Sequence, residues 1–511
     1  MSRSRRRRRW VRNTLIAGTL AAVLILCRPA VHLIRTVWRD SDQREQLPPG
    51  YADDVSRMNR TRVSDVWPIP SVSQTPEKEL RGLLKNAGEK GLRVSVAGSR
   101  HSMGGHTLYP GGIVIDMLPF NRMTLDATNR LLHVEAGAKW SEILPYLDRH
   151  GLSVSVMQSD NSFTVGGSLS VNCHGWQYGR PPIASTVESF RLMKADGTIV
   201  RCSRNENQEL FSLALGGYGL FGIILDAEIR VVANERLRLE QYLVPVDGAL
   251  SAFQEKLREK PGVSMVYARL NLTPKKLFQE VMITQFYPET AGAIPSLSEP
   301  GLAALRRAVF RGSAENDYGK ELRWEAETKL QPLLAGRIFS RNQLLHHSAD
   351  WYLDRSATST DILHEYFIPR ARAGAFVLEL RKIVAESRAN LLNVTVRDVQ
   401  ADHETFLRYA DQPMVAFVMF FSQPRTTTAD ARMELMTQTI IDAAIKQGGR
   451  YYLPYRLHAT PAQLHRAYPQ AVKFFELKRH YDPGELFQNQ FYVKYGGSLS
   501  EQERRDASTP R

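Results

Sequence analysis

Residues 96–117 read VAGSRHSMGGHTLYPGGIVIDM, and the fold turns on them. The run LRVSVAG (92–98) is apolar, ends in glycine and predicts a strand; GIVIDM (112–117) predicts the next. Between them Gly98, Gly104 and Gly105 bracket Ser99, Arg100, His101, Ser102 and Met103. With no Cβ in the way, such a turn lets backbone N–H groups close on a diphosphate.

Two more glycine clusters follow. One is TVGGSLSVNCHGW (164–176); the other runs from Gly216 to Gly222. The latter contains G-x-G-x-x-G, a dinucleotide fingerprint that requires a strand before it and a helix after it. Here QELFSLALGG (208–217) predicts a helix before, and GIILDAEIRVV (222–232) a long strand after. A Rossmann site is therefore rejected. Turn glycines are common, so each cluster alone is weak; three in succession are better.

The surrounding pattern alternates short strands and helices. LLHVEAG (131–137) is a strand, KWSEILPYLDRHG (139–151) an amphipathic helix with a glycine stop, and FRLMKADGTIVRCS (190–203) a hairpin turning at Asp196-Gly197. Beyond about residue 235 the elements lengthen. SAFQEKLREK and GAFVLELRKIVAESR predict helices; SMVYARLNL, FQEVMITQFY, LLNVTVRDV and MVAFVMFFS predict strands. A sheet with helices on one face, covering a substrate, accounts for them. The tail adds the helices MELMTQTIIDAAIKQGG and FFELKRHY, a Tyr-rich loop and a DPGELF turn.

At 511 residues, the chain exceeds one ordinary domain. Its net charge of +14 invites a nucleic-acid reading, but Arg3, Arg5 to Arg9 and Arg12 crowd the first dozen residues. No body segment interleaves bases with aromatics as a nucleic-acid groove does, so no such partner is expected. NTLIAGTLAAVLILC (13–27) follows the tract, uncharged and largely apolar. No small-x-small cleavage site comes after it, so it predicts an uncleaved membrane anchor, with the arginine end cytoplasmic and the body extracytoplasmic. Arg7-Arg8-Arg9-Trp10 loosely resembles a twin-arginine export signal; an ordinary basic flank is the preferred reading. The three cysteines, Cys27, Cys173 and Cys202, form no metal or disulfide pattern. No metal site is expected.

Four segments in order, 96–117, 164–176, ESFRLMKADGTIVRCS (188–203) and ELFSLALGGYGLFGIILDAEI (209–229), make the chain resemble the vanillyl-alcohol oxidase superfamily of FAD enzymes, with its PCMH-type FAD-binding domain. It is most similar to the alditol oxidase, aldonolactone oxidase and decaprenylphosphoryl-ribose oxidase branch; GGRYYLPYRLHATPAQLHRAYP (448–469) resembles the last of these. The resemblance implies an α+β fold: a two-subdomain PCMH-type FAD-binding domain plus an α+β cap. The implied division is a basic tail (1–12), a membrane anchor (13–35), a linker (36–60), the FAD-binding domain (61–235), the cap (236–440), a segment returning to the FAD (441–495) and a disordered tail (496–511).

It implies that Gly98, Ser99, Arg100, Ser102, Met103, Gly104 and Gly105 hold the pyrophosphate. Thr164, Gly166, Gly167, Ser168, Val171, Asn172 and His174 would line the flavin and ribityl chain, Ile223 would touch the adenine half, and Tyr452 would return from the tail. In covalent members the histidine of a G-x-x-H-S turn bonds the flavin 8α-methyl; His101 holds that place. A histidine beside the cofactor without a bond is the alternative reading. His106, five residues on, reads as a surface or lining residue. Ser162 stands where some relatives carry a second, cysteinyl attachment, so one bond at most is expected.

The resemblance also implies an alcohol substrate, which needs a base or polar relay and positive charge facing the reduced flavin. Glu365 on LHEYFIPR, Arg397 on LLNVTVRDV and His174 are the catalytic candidates. Arg397 stands where relatives carry a lysine, and Tyr455 followed by Arg456 stands where relatives carry another. A lone Glu in a cap strand is more often a solvated or ion-paired residue, and a His in a glycine loop a structural one. The expected function is oxidation of a CH–OH group of a polyol, sugar or sugar lactone, with oxygen, a quinone or a cytochrome accepting the electrons. Alternatives are a membrane-surface oxidase of a lipid-linked sugar and a catalytically silent flavin-fold binding protein.

Overall fold

The computed structural model describes residues 10, 13–14, 27–70, 75–298, 301–314, 316–330 and 337–497. Three sheets carry the architecture. Asp65–Pro68, Ile113–Asp116 and Val94–Ala97 form a small parallel sheet with Ile113–Asp116 at its centre. Val94–Ala97 and Ile113–Asp116 are largely buried, as a parallel sheet demands, while Asp65–Pro68 forms a more exposed edge. A second, antiparallel sheet runs Ile199–Ser203, Val187–Met193, Ile223–Ala233, Leu131–Glu135, Met123–Asp126; Leu152–Val154 pairs with the far end of Ile223–Ala233. The helix Gln208–Ala214 precedes the third glycine cluster and the strand Ile223–Ala233 follows it, opposite to the Rossmann order.

The third sheet is the cap. Eight antiparallel strands run Ile338–Ser340, Arg236–Pro245, Glu280–Pro288, Met265–Leu270, Asn390–Val399, Met414–Pro424, Ser359–Pro369, Arg450–Tyr451. Alternation along Ser359–Pro369 sorts its faces. Tyr366 packs on Phe376 of the helix Ala373–Ser387, and His364 reaches Thr437 of the helix Thr427–Lys446. Leu363 and Glu365, on the opposite face, look into a cavity. Helices thus cover one face of the cap, and the other roofs the site.

The C-terminal segment ties cap to base. Arg450–Tyr451 extends the cap sheet, while residues 486–488 bond Val94 at the free edge of the parallel sheet (Val94 N to Leu486 O, 2.8 Å; Gln488 N to Val94 O, 2.9 Å). Asp482 fixes that turn: it accepts from Leu486 N at 3.0 Å and Phe487 N at 2.8 Å and pairs with Lys478, both charges being buried. Removing one partner strands the other charge in the interior. Asp482→Ala is therefore expected to cost about 3–5 kcal/mol of unfolding free energy, read from denaturant unfolding; an unchanged midpoint would contradict this role.

Two stretches behave differently from their reading. Within the linker, Tyr51–Ala52 pairs with Thr61–Arg62, and Asp54 accepts from Gly105 N at 2.9 Å, so this part is built into the base. The stretch read as the anchor lies mostly outside the described residues; its end belongs to a helix, 27–39, lying on the cap. His32 Nε2 meets Gly312 O at 2.9 Å, Arg28 sits 3.9 Å over the Tyr318 ring, and Asp40 pairs with Arg307. Among the described residues no helix is long and apolar enough to cross a membrane.

Candidate active site

A cavity of about 970 Å³ lies between the base loops and the cap sheet. That is the upper end for a ligand site and roomy enough for a large cofactor. Its floor is the first glycine turn. Arg100 takes φ 54° and Gly105 φ 65°, left-handed values that fold the turn back on itself, with the N–H groups of Met103 and Gly105 committed to Pro454 O and Asp54. Gly98 is required by close approach: a Cβ there would lie 2.1 Å from Thr164 Oγ1. Thr164 is itself fixed, because it caps the helix Val165–Ser170 by accepting from Gly167 N at 3.3 Å.

The floor carries unsatisfied polar atoms. Ser102 Oγ, Thr107 Oγ1 and Arg100 Nε are buried with no hydrogen-bond partner among the described residues. Buried polar atoms are ordinarily paired, so such a group inside a cavity marks where ligand oxygens belong. The turn, the absent Cβ atoms and these donors fit a diphosphate.

Gly98, Ser99, Arg100, His101, Ser102 and Met103 line the cavity, as do Thr164, Gly166, Gly167, Ser168, Val171, His174 and Tyr452. Gly104, Gly105, Asn172 and Ile223 stand one layer behind. Gly104 leaves room for the Tyr455 carbonyl, which a Cβ would meet at 2.5 Å, and Ile223 is sealed while Gly222 and Ile224 face inward. His101 stacks on Phe163, ring centroids 4.2 Å apart. His106 is buried against Tyr218 and Phe491, and burial pushes its pKa down to about 3, so it is neutral. The Cys173 thiol, also lining, is pushed up to about 12 by burial and is no thiolate.

The three catalytic candidates converge beneath the cap. His174 Nε2 lies 2.5 Å from Glu365 Oε1, and both side chains are at least 95 % buried. Glu365 Oε2 accepts from the Tyr455 hydroxyl at 3.2 Å, which the sequence reading noted only as a departure from relatives. Burial, then the neighbouring Glu365 carboxylate, holds the Tyr455 hydroxyl well above its ordinary pKa, so it remains a donor. Arg397 Nη2 donates to Ser159 Oγ at 3.0 Å and Nη1 to the His174 carbonyl at 3.5 Å, while its Nε is buried and unpartnered. Tyr452 donates through its hydroxyl to Val171 O at 2.8 Å and through its backbone to Glu365 O at 2.9 Å, locking tail, floor and cap together. Among the described residues no cluster of His, Cys, Asp or Glu is arranged to hold a metal.

Comparison with known proteins agrees with this geometry. Residues 72–203 match the family described as FAD binding domain. The chain belongs to the family of FAD-dependent oxidoreductases built on that domain, and FAD is its cofactor. Among its relatives, cytokinin dehydrogenase 7 of Oryza sativa subsp. japonica is 36% identical over 77% of this chain and 80% of its own. L-gulonolactone oxidase of Mus musculus is 32% identical over 31% of this chain and 36% of its own. Decaprenylphosphoryl-beta-D-ribose oxidase of Mycolicibacterium smegmatis is 33% identical over 33% of this chain and 37% of its own. Against these last two, the matched region spans little more than a third of the relative's length.

Proposed function

We propose that the chain oxidises a CH–OH group of a polyol, sugar or sugar lactone. The observation carrying this reading is the buried His174–Glu365 pair lining the cavity, His174 from the second glycine segment and Glu365 from the cap sheet. FAD, when bound, supplies the hydride acceptor. The protein must then take the hydroxyl proton and hold the donor carbon in place. Glu365, with one oxygen held by His174 and the other by Tyr455, is the proton acceptor; His174 orients it and shares the charge. Arg397, with no carboxylate partner among the described residues, supplies positive charge where negative charge develops. His101 in its G-x-x-H-S turn is the residue for a covalent tether.

The test uses the full-length, flavin-loaded protein without oxygen. Its visible absorbance is expected to bleach on addition of at least one member of a panel of polyols, aldoses and aldonolactones. A flavin that stays oxidised against the whole panel would overturn the alcohol-oxidising reading and favour a silent flavin-fold binding protein.

A second reading places this activity at a membrane surface, acting on a lipid-linked sugar. It is supported by the apolar run 13–27 and by the helix 27–39, which turns Ile34, Val37 and Trp38 outward, 68, 61 and 82 % exposed. Apolar side chains interspersed with Arg35 and Arg39 suit the interface of an anionic bilayer.

A further inference from the structure

The cap sheet carries a row of residues whose ends differ in charge. Strand pairing sets Glu365 opposite Val418, Val418 opposite Thr395, and Thr395 opposite Arg269. All four line the cavity. Three steps between adjacent strands, at roughly 4.8 Å each, put Arg269 about 14 Å from Glu365 along the roof.

The Arg269 end is short of negative charge. Glu327 Oε1 accepts from Arg269 Nη1 at 2.6 Å and from Arg323 Nε at 2.9 Å, so one carboxylate serves two guanidinium groups. Arg323 is used up: its other nitrogens donate to Leu392 O at 2.6 Å and Asn393 Oδ1 at 2.8 Å. Arg269 is not: its Nε is buried without a partner, and Nη2 bonds no described residue. Arg306 and Arg337 also line the cavity, both of them solvent-exposed, and form no ion pair with any described residue. The field is felt nearby: burial, then Arg306, His346 and Arg269, push the His347 pKa down to about 4. Arg269 and Arg323, the inner two, share one carboxylate, and Arg306 and Arg337 stand exposed at the rim, so this end carries positive charge that a bound anion would complete.

We propose that this end of the cavity is an oxyanion subsite. The alcohol oxidised beside Glu365 carries a carboxylate or phosphate ester at its far end, and Arg269 Nε and Nη2 receive it as a fork, with Arg306 and Arg337 closing the pocket. A planar guanidinium suits both oxyanions. The group lies remote from the reacting carbon, so it acts as a binding handle. This rests on the alcohol-oxidising reading above and specifies its substrate class.

The test is calorimetric titration of the full-length, flavin-loaded protein, at fixed ionic strength, with phenyl phosphate, benzoate and uncharged benzyl alcohol. At least one anion is expected to bind, benzyl alcohol more weakly, and the preferred anion identifies phosphate or carboxylate. Arg269→Gln is expected to weaken the anion at least about tenfold, with Arg269→Lys recovering part of the loss and benzyl alcohol unaffected. Glu327 keeps Arg323 in these variants, and retained flavin colour reports an intact fold. Should Arg269→Gln lose its flavin, Arg306→Gln and Arg337→Gln take its place and are expected to weaken the anion as well. Anions that do not bind a yellow protein, or that bind the variants unchanged, overturn the subsite alone; a colourless protein overturns the flavoenzyme reading beneath it.

Discussion

Gly98→Val protein is expected to purify almost without flavin. The substituted Cβ would stand 2.1 Å from Thr164 Oγ1, and neither side has room to yield. Gly98 follows directly on the strand Val94–Ala97, and Thr164 is held by its cap on Gly167 N. The contact must open, and with it the spacing between the two glycine segments that floor the cavity. FAD affinity should fall about tenfold or more, as for a site weakened by upwards of 1.4 kcal/mol, and flavin per chain, measured after denaturation, should drop with it. Gly98→Ala meets the same oxygen and should show the same direction. Full flavin occupancy in both variants would remove this turn from the cofactor site.

Glu365→Gln is expected to leave flavin content intact and to slow anaerobic bleaching by about 10²–10⁴, the range for a lost proton acceptor. The amide fills the carboxylate's space beside His174 and Tyr455 but takes up no proton. Because the substitution falls in the roof rather than the floor, binding of FAD and loss of rate should separate cleanly. An unchanged bleaching rate would show that Glu365 only braces the cap.

The base of the fold was legible because its signals are local. Strands ending in glycine, the Asp196-Gly197 hairpin and the helix-before-strand order around Gly216 to Gly222 each lie within a few residues of chain. The lining role of residues 98–103 follows from the same short range. The chemistry was harder to see because it is assembled across the fold. His174 and Glu365 are 191 positions apart, and Tyr455 is a further 90 beyond Glu365. Each candidate could be named singly, but nothing in one sequence says that they touch. Tyr455 was visible only as an unexpected residue, and its hydrogen bond gives it a reason. Arg269 left a trace that went unread: it shares a strand face with Tyr267, a polar pair on a sheet that should be apolar beneath. The helix 27–39 was hard to place for another reason. An apolar run leading into a basic helix has the same composition whether it enters lipid or lies against the cap helices, and only the His32, Arg28 and Asp40 contacts distinguish the described part.

Acid precipitation of the purified protein reads at once whether one FAD lies across the glycine floor and whether His101 tethers it, as proposed above. Flavin colour carried into the pellet of the wild type, and lost to the supernatant in His101→Ala, is the predicted result. Colour released wholly from the wild type would break the His101 link, and a colourless protein that takes up no FAD would contradict the account at its base.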